Sequence, residues 1–152
     1  MFEIRPKSIE FEVFAHATED EDKVLQAVLN LIPDRFRDEI RTRRDVLKGH
    51  YRNQIVVYRM KILEKKLVEE SLLYLFSKFD KKERLLLSKE LEMRLDETGV
   101  LHLRIDKQSA YRGRPIFRPI DDAIKVRVST AKPSTLTNKG IIESYKRHFL
   151  VK

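Results

Sequence analysis

Two short segments of this 152-residue chain gather the residue types that contact phosphates and nucleobases. One reads RTRRDVLKGHYRN over positions 41–53, and the other reads LRIDKQSAYRGRPIF over positions 103–117. Arginine and lysine bind phosphate oxygens, whereas aromatic and amide side chains stack on bases or hydrogen-bond to them. The candidate contact residues are Arg41, Arg43, Lys48, His50, Tyr51, Arg52, Asn53, Lys107, Gln108, Tyr111, Arg112 and Arg114.

The net charge of +8 is unevenly distributed along the chain. Residues 35–61 contain nine basic and three acidic side chains, and residues 104–127 contain seven basic and three acidic ones. Residues 1–34 are acidic, with three basic and eight acidic side chains. Such segregation predicts a basic face opposite an acidic one, which is typical of proteins that bind polyanions. Ordinary solvated surface is the competing interpretation of any single charge-rich loop.

Several function classes are disfavoured by what the sequence lacks. It contains no cysteine, which excludes disulfides and thiolate metal sites and is typical of a cytoplasmic protein. No apolar run is long enough to cross a membrane, and the first residues do not resemble a secretory signal. Glycine-rich phosphate loops, dinucleotide fingerprints and nucleophile elbows are also absent from the sequence. We therefore expect neither a catalytic site nor a cofactor.

Hydrophobic periodicity predicts strands and helices in the order βαββααββα. Alternation of Ile9, Phe11, Val13 and Ala15 indicates the first strand, and a capping box of Thr18 and Glu21 starts the first helix. The remaining predicted elements are strands over 39–48, 54–62, 100–106 and 123–129, and helices over 64–79, from Asp80 to Gly99, and over 138–149.

This order predicts one α+β domain over residues 1–152. Neighbouring strands joined by hairpin-scale loops favour an antiparallel sheet with the helices packed on one face, which is a two-layer sandwich. The other face of the sheet would then be free for a ligand. The predicted core contains one large side chain from each apolar stripe, namely Phe11, Val13, Leu29, Leu72, Phe76 and Leu103.

Three sequence pieces, GHYRN (49–53), DKQSAYRG (106–113) and DDAIKVRV (121–128), resemble an archaeal family of predicted RNA-binding proteins associated with the exosome. The resemblance spans nearly the whole chain, although Arg52 and Gln54 depart from the family pattern. It implies a fold similar to that of the ribosomal protein that binds 5S rRNA, and exosome or ribosome-assembly proteins as partners.

These observations favour a non-catalytic RNA-binding protein, an adaptor in RNA processing or ribosome-related work that holds rRNA or another structured RNA on a basic sheet and loop face. Two alternatives remain open at this point. A metal-dependent ribonuclease would use Asp106, Asp121 and Asp122. A subunit of an RNA-processing complex would instead dock a basic partner on its acidic N-terminal strand and helix.

Overall fold

The structure, a computed structural model, describes residues 5–49, 51, 53–131 and 137–150. Its strands are β1 (Arg5–Ala15), β2 (Arg41–Lys48), β3 (Gln54–Ile62), β4 (Leu101–Ile105) and β5 (Ile124–Ala131). Its helices are α1 (Glu21–Leu29), α2 (Lys65–Ser77), α3 (Lys81–Arg94), α4 (Lys107–Tyr111) and α5 (Asn138–Tyr145), with a 3-10 helix at Asp34–Glu39 and a π-helical turn at Lys146–Leu150. Within the described ranges, no helix is long and apolar enough to span a membrane.

The strands form one sheet in the order β2-β3-β1-β5-β4, and every paired neighbour runs antiparallel. The first strand therefore lies at the centre, between β3 and β5. The prediction of an α+β protein with an antiparallel sheet is confirmed. The predicted order lacked α4, which forms in the segment expected to be an open loop.

One face of the sheet is apolar and buried. In β1 the alternation is strict from Ile9 to Ala15, and the buried partners across the strands include Met60 on β3 and Val126 on β5. Helices α2 and α3 cover this face with Leu72, Phe76, Leu87 and Leu91, among others. Of the predicted core residues, Phe11, Val13, Leu72, Phe76 and Leu103 are buried in one cluster.

Helix α1 differs from its prediction in start and in phase. Asp20 caps it, accepting hydrogen bonds from the backbone N–H groups of Asp22 (3.0 Å) and Lys23 (3.3 Å), so the predicted Thr18 capping box is wrong. The buried stripe contains Val24, Ala27 and Val28, while Leu29 is only half-buried. The sequence alone did not predict which side of α1 is buried, because Ala27 and Leu29 fit an apolar stripe equally well.

Candidate nucleic-acid interface

The face of the sheet opposite the helices, here called the open face, presents two rows of side chains that cross all five described strands. Residues paired across neighbouring strands lie on the same face of the sheet, because side chains alternate between the two faces along each strand. The first row is Arg43, Arg59, Glu12, Lys125 and Arg104, and the second is Arg41, Lys61, Glu10, Arg127 and His102. Neighbouring strands are about 4.8 Å apart, so each row crosses about 19 Å. The rows line a groove of about 850 Å³ that ends beside Met93 and Leu95.

The centre of the open face is acidic and its two sides are basic. Glu12 accepts a 2.9 Å hydrogen bond from Arg59 Nε. Glu10 lies 3.1 Å from Lys61 Nζ and 3.8 Å from Arg127. Seven arginine and lysine side chains therefore surround two glutamates in the ten row positions. Positive charge remains in excess on both sides of β1.

Further carboxylates hold the outer arginines of the face in place. Asp45 lies 2.9 Å from Arg43 and 3.2 Å from Arg59, which fixes the two guanidinium groups side by side. Asp121 accepts a 2.7 Å hydrogen bond from Arg104, and this bond lowers the pKa of the Asp121 carboxyl. Such exposed pairs contribute little to stability, but they orient the arginines toward the groove.

His102, the uncharged end of the second row, is oriented by Asp96. Its Nε2 lies 2.8 Å from Asp96 Oδ2. Desolvation raises the pKa of Asp96, but hydrogen bonds from Thr98, His102 and the Val100 backbone outweigh it, so the net pKa is low. The Asp96 carboxylate is therefore ionised at neutral pH and accepts a hydrogen bond from His102 when Nε2 of the imidazole carries a proton.

A short extended segment adds Arg118 to the open face beyond β4. Arg118 donates its backbone N–H to Arg104 (2.9 Å), and Asp106 donates to Ile116 (3.0 Å), so Arg118 lies opposite Arg104 in antiparallel fashion. Phe117 anchors the segment by stacking on Phe79 with ring centroids 4.0 Å apart. The first row thus continues past the edge of the sheet.

The predicted residues of the β2–β3 hairpin lie in different places. Arg41 and Arg43 belong to the open face. Lys48 is exposed but, by alternation, lies on the other side of β2. Tyr51 is 96% exposed with a positive φ of 59°, and Asn53 accepts the Gly49 N–H at 2.6 Å. His50 and Arg52 lie outside the described residues.

Lys107 is buried, contrary to its predicted role as a surface contact. Its Nζ donates to the Phe14 carbonyl (2.6 Å) and lies 2.9 Å from Glu19 and 2.7 Å from Asp122. Only 9% of the side chain is exposed, so the ammonium group cannot reach a phosphate. The ammonium of Lys107, together with His16, lowers the pKa of Asp122 against the opposing effect of desolvation.

The other predicted loop residues lie in the helix layer. Asp106 caps α4 through the Ser109 N–H (2.9 Å), and Asn30 of α1 donates to the carbonyl oxygens of Ala110 and Tyr111. A second cavity of about 370 Å³ between α1 and α4 is lined by Gln108, Tyr111 and Arg112, among others. Arg114 is exposed beyond Gly113, whose φ of 83° ends the helix.

The two cavities share no lining residue. The structure therefore places the predicted contacts on two surfaces: Arg41 and Arg43 on the open face, and Gln108, Tyr111 and Arg112 beside α1. The sequence prediction concentrated on loops and missed six cations of the open face. Five lie on strands, namely Arg59, Lys61, Arg104, Lys125 and Arg127, and Arg118 lies in the extended segment beyond β4. Each of the four strands other than β1 contains two basic or imidazole side chains two residues apart, and this spacing is the sequence pattern that indicates the open face.

The carboxylates proposed for a ribonuclease do not assemble. Asp106 pairs with Arg118, Asp121 with Arg104 and Asp122 with Lys107, each within 3.2 Å. Across the described ranges, the group with metal-ligating spacing is instead His16, Glu19 and Asp122. The Lys107 ammonium already lies against both carboxylates of that group. This explains the cluster as a partly exposed ion-pair network around the buried Lys107.

The acidic N-terminal segment is neutralised within the chain. Glu10 and Glu12 pair with cations of neighbouring strands, and Glu19 pairs with Lys107. Glu21 accepts a 2.5 Å hydrogen bond from Arg44 and another from the Tyr58 hydroxyl. The Arg44 bond is the main cause that lowers the pKa of Glu21 to about 2. Glu10 and Glu12 therefore do not lie on an acidic face opposite the cations, as predicted, but among the arginines and lysines of the open face.

A five-stranded antiparallel sheet backed by helices, with arginine and lysine side chains on its open face, defines a class of small α+β proteins. Residues 8–130 match a protein family described as RNA binding, and the chain belongs to this family.

Relatives match over most of their own length. The chain is 31% identical over 144 residues to "RNA-binding protein PAB1135" of Pyrococcus abyssi, covering 94% of this chain and 93% of the relative. It is 34% identical over 122 residues to the uncharacterized protein MJ0213 of Methanocaldococcus jannaschii, covering 78% and 80%. Among solved structures, the DUF54 protein AF2318 of Archaeglobus fulgidus matches with a TM-score of 0.77 at 26% identity, covering 93% and 98%. The DUF54 protein Mth689 of Methanothermobacter thermautotrophicus matches with a TM-score of 0.72 at 26% identity, covering 97% and 99%.

Proposed function

We propose that this chain is a non-catalytic RNA-binding protein that holds structured RNA on its open face. The observation that carries the proposal is the pair of cross-strand rows, in which basic side chains from four strands point the same way. Phosphate contacts supply most of the affinity in such interfaces, and they require several cations in one surface. Family membership supports RNA as the polyanion.

The proposed role is that of a cytoplasmic adaptor for rRNA or another structured RNA in RNA processing or ribosome-related work. A fold similar to that of the 5S rRNA-binding ribosomal protein, and exosome or ribosome-assembly proteins as partners, belong to this proposal. Gln108, Tyr111, Arg112 and Arg114 supply a second contact surface, and the predicted contacts Lys48, His50, Tyr51, Arg52 and Asn53 of the β2–β3 hairpin also belong to the proposal. Lys107 does not contribute, because its ammonium group is buried.

The experiment measures affinity for a labelled, folded RNA as a function of salt. Log affinity falls linearly with log salt, with a slope of about −0.9 for each phosphate neutralised on a duplex. Replacing Lys125 and Arg127 with alanine should make that slope shallower by about two units and weaken different RNAs alike.

The matched control replaces Lys65 and Lys66, two exposed lysines at the start of α2, with alanine. It removes the same charge from the helix layer and should leave the slope nearly unchanged. Equal losses in the two variants would mean that the attraction is diffuse, and the proposal would fail.

A further inference from the structure

The cations of the open face form two separate flanks. This arrangement determines whether the face accepts single-stranded or double-stranded RNA. One flank consists of Arg41, Arg43, Arg59 and Lys61 on β2 and β3. The other consists of Arg104, Lys125 and Arg127 on β4 and β5, continued by Arg118. Glu10 and Glu12 lie between the flanks on β1. A phosphate backbone along the centre would meet Glu10 and Glu12. On either flank the cations outnumber the carboxylates paired with them, which are Asp45 on one flank and Asp106 and Asp121 on the other.

The spacing of the flanks suits two backbones at once. Their midlines are three strand spacings apart, which is about 14 Å. The minor groove of B-form DNA, about 6 Å wide, is too narrow to place its two backbones on both flanks. A-form RNA has a wide and shallow minor groove, and it displays the ribose 2′-hydroxyls there.

Single-stranded RNA lacks the contacts it would need on this face. Proteins that bind unpaired strands stack successive bases on exposed aromatic rings. Apart from the imidazole of His102, the ten row positions hold no aromatic side chain. Phe14, the neighbouring aromatic residue on β1, is half-buried and has the Lys125 ammonium over its ring at 5.6 Å. Base stacking therefore has no platform on this surface.

Glu10 and Glu12 can accept hydrogen bonds from a ribose 2′-hydroxyl, whereas a phosphate has no proton to donate to them. An ionised carboxylate is an acceptor with about four lone-pair sites, and a 2′-hydroxyl is a donor. Glu12 binds Arg59 through Oε2, which leaves acceptor capacity on the carboxylate toward the groove. Glu12 and Glu10 are each about one-third exposed, so solvent and ligand can reach them.

We infer that the open face receives double-stranded RNA across its minor groove, with one phosphate backbone on each basic flank and Glu10 and Glu12 accepting hydrogen bonds from ribose 2′-hydroxyls. This inference rests on the proposed function and narrows it to a substrate class. The glutamates select against DNA duplexes, which have no 2′-hydroxyl to offset the repulsion between carboxylate and groove.

The test compares one sequence as double-stranded RNA, as double-stranded DNA and as single-stranded RNA, at the same salt concentration. We expect duplex RNA to bind at least about tenfold more tightly than duplex DNA, since a hydrogen bond to a charged group is worth about that factor. In the double variant Glu10→Gln, Glu12→Gln this preference should fall below about threefold. A purely structural role for the two glutamates would change the affinities for both duplexes alike and leave their ratio intact, and that result would overturn the inference.

A second measurement does not depend on the variant folding. Duplex RNA carrying 2′-O-methyl groups keeps its charge but loses the hydroxyl donors, and it should bind the unaltered protein about as weakly as duplex DNA. Equal binding of methylated and unmethylated duplexes, or tighter binding of the single strand, would refute the inference. Equal binding of the two duplexes leaves the proposed function standing so long as the Lys125 and Arg127 variant still has a shallower salt slope than the unaltered chain, whereas tighter binding of the single strand would also contradict binding of structured RNA.

Discussion

The ammonium group of Lys107 connects three chain segments that are remote in sequence. It contacts the end of β1, the turn before α1 through Glu19, and the segment before β5 through Asp122. Removing it would leave two carboxylates without their cation in a partly desolvated site. A buried charge left unpaired costs several kcal/mol, and the partial exposure of both carboxylates reduces that penalty.

We therefore expect Lys107→Met to lower the free energy of unfolding by about 2 kcal/mol, as measured by urea denaturation. The salt slope of RNA binding should not change, because Lys107 meets no phosphate. Lys65→Met, at an exposed position, serves as the control and should alter neither quantity. A shallower slope in the Lys107 variant would show that its ammonium group does reach RNA.

Glu21 should make stability depend on pH in a defined window. Its pKa is lowered from 4.5 to about 2, chiefly by the hydrogen bond from Arg44 and then by that from Tyr58. A carboxyl with a depressed pKa in the folded state stabilises the fold above its unfolded pKa, and this contribution is lost as pH falls toward the folded value. The thermal midpoint should therefore decline between about pH 4.5 and 2 less steeply in Glu21→Gln than in the unaltered chain. Glu92→Gln, at an exposed position of α3, is the control and should follow the unaltered chain.

At the scale of elements, α2 packs against the C-terminal helical segment through the buried ring of Phe76. Phe76 is 1% exposed and lies against Tyr145 and Phe149, with ring centroids 6.3 Å and 5.6 Å away. Burial raises the pKa of the Tyr145 hydroxyl, which shows how dry this contact is. Phe76→Ala should lower the free energy of unfolding by about 3–5 kcal/mol. Leu73→Ala, on the exposed side of the same helix, should cost below about 1 kcal/mol, and similar losses in the two variants would mean that the α2 packing is assigned wrongly.

The elements that the sequence predicted well are those fixed by local periodicity. The apolar stripe of α2, with Val68, Leu72, Leu75 and Phe76, is buried as expected, and Asp80 caps α3 through the Glu83 N–H. The alternation of β1 likewise separates a buried face from an open one. A helix repeats every 3.6 residues and a strand every two residues, and a short window of sequence is enough to reveal either period.

The elements that the sequence predicted poorly depend on distant partners. Helix α4 closes because Asp106 caps it and Asn30 of α1 holds its last carbonyl groups, about 80 positions away. Strand order brings Glu12 beside both Arg59 and Lys125, and no local pattern encodes that neighbourhood. The candidate site was therefore found only in part, since loops attract attention as binding segments while the open face is assembled from five separate strands.

At the scale of the molecule, the acidic first segment lowers the charge of the basic face without abolishing it. Glu10 and Glu12 are the central residues of rows that otherwise contain cations and one histidine. The ion pairs of Glu12 with Arg59 and of Glu10 with Lys61 leave less free negative charge on this face for docking a basic partner. A net charge of +8 favours association with polyanions, in agreement with the proposed function.

A large folded RNA is expected to contact two surfaces of the molecule, the open face and the loop that contains Arg112 and Arg114. Arg112 lines the α1–α4 cavity and Arg114 is exposed just beyond α4, whereas Lys125 and Arg127 lie on the open face. A short duplex that fills the open face would not reach the loop, but a large folded RNA could wrap around the sheet end to meet it.

Replacing Arg112 and Arg114 with alanine should therefore leave binding of a short duplex unchanged. The same variant should make the salt slope for a large folded RNA shallower by about two units, one for each lost contact. Replacing Lys125 and Arg127 should weaken both RNAs, and combining all four changes should add their effects on the large RNA, since the two sites share no partners. A loop variant that weakens the short duplex as much as the strand variant does would move the binding site from the open face to the loop. Salt titrations of the two RNAs with the three variants distinguish these outcomes. The slope of log affinity against log salt counts phosphate contacts, whereas an affinity at one salt concentration does not.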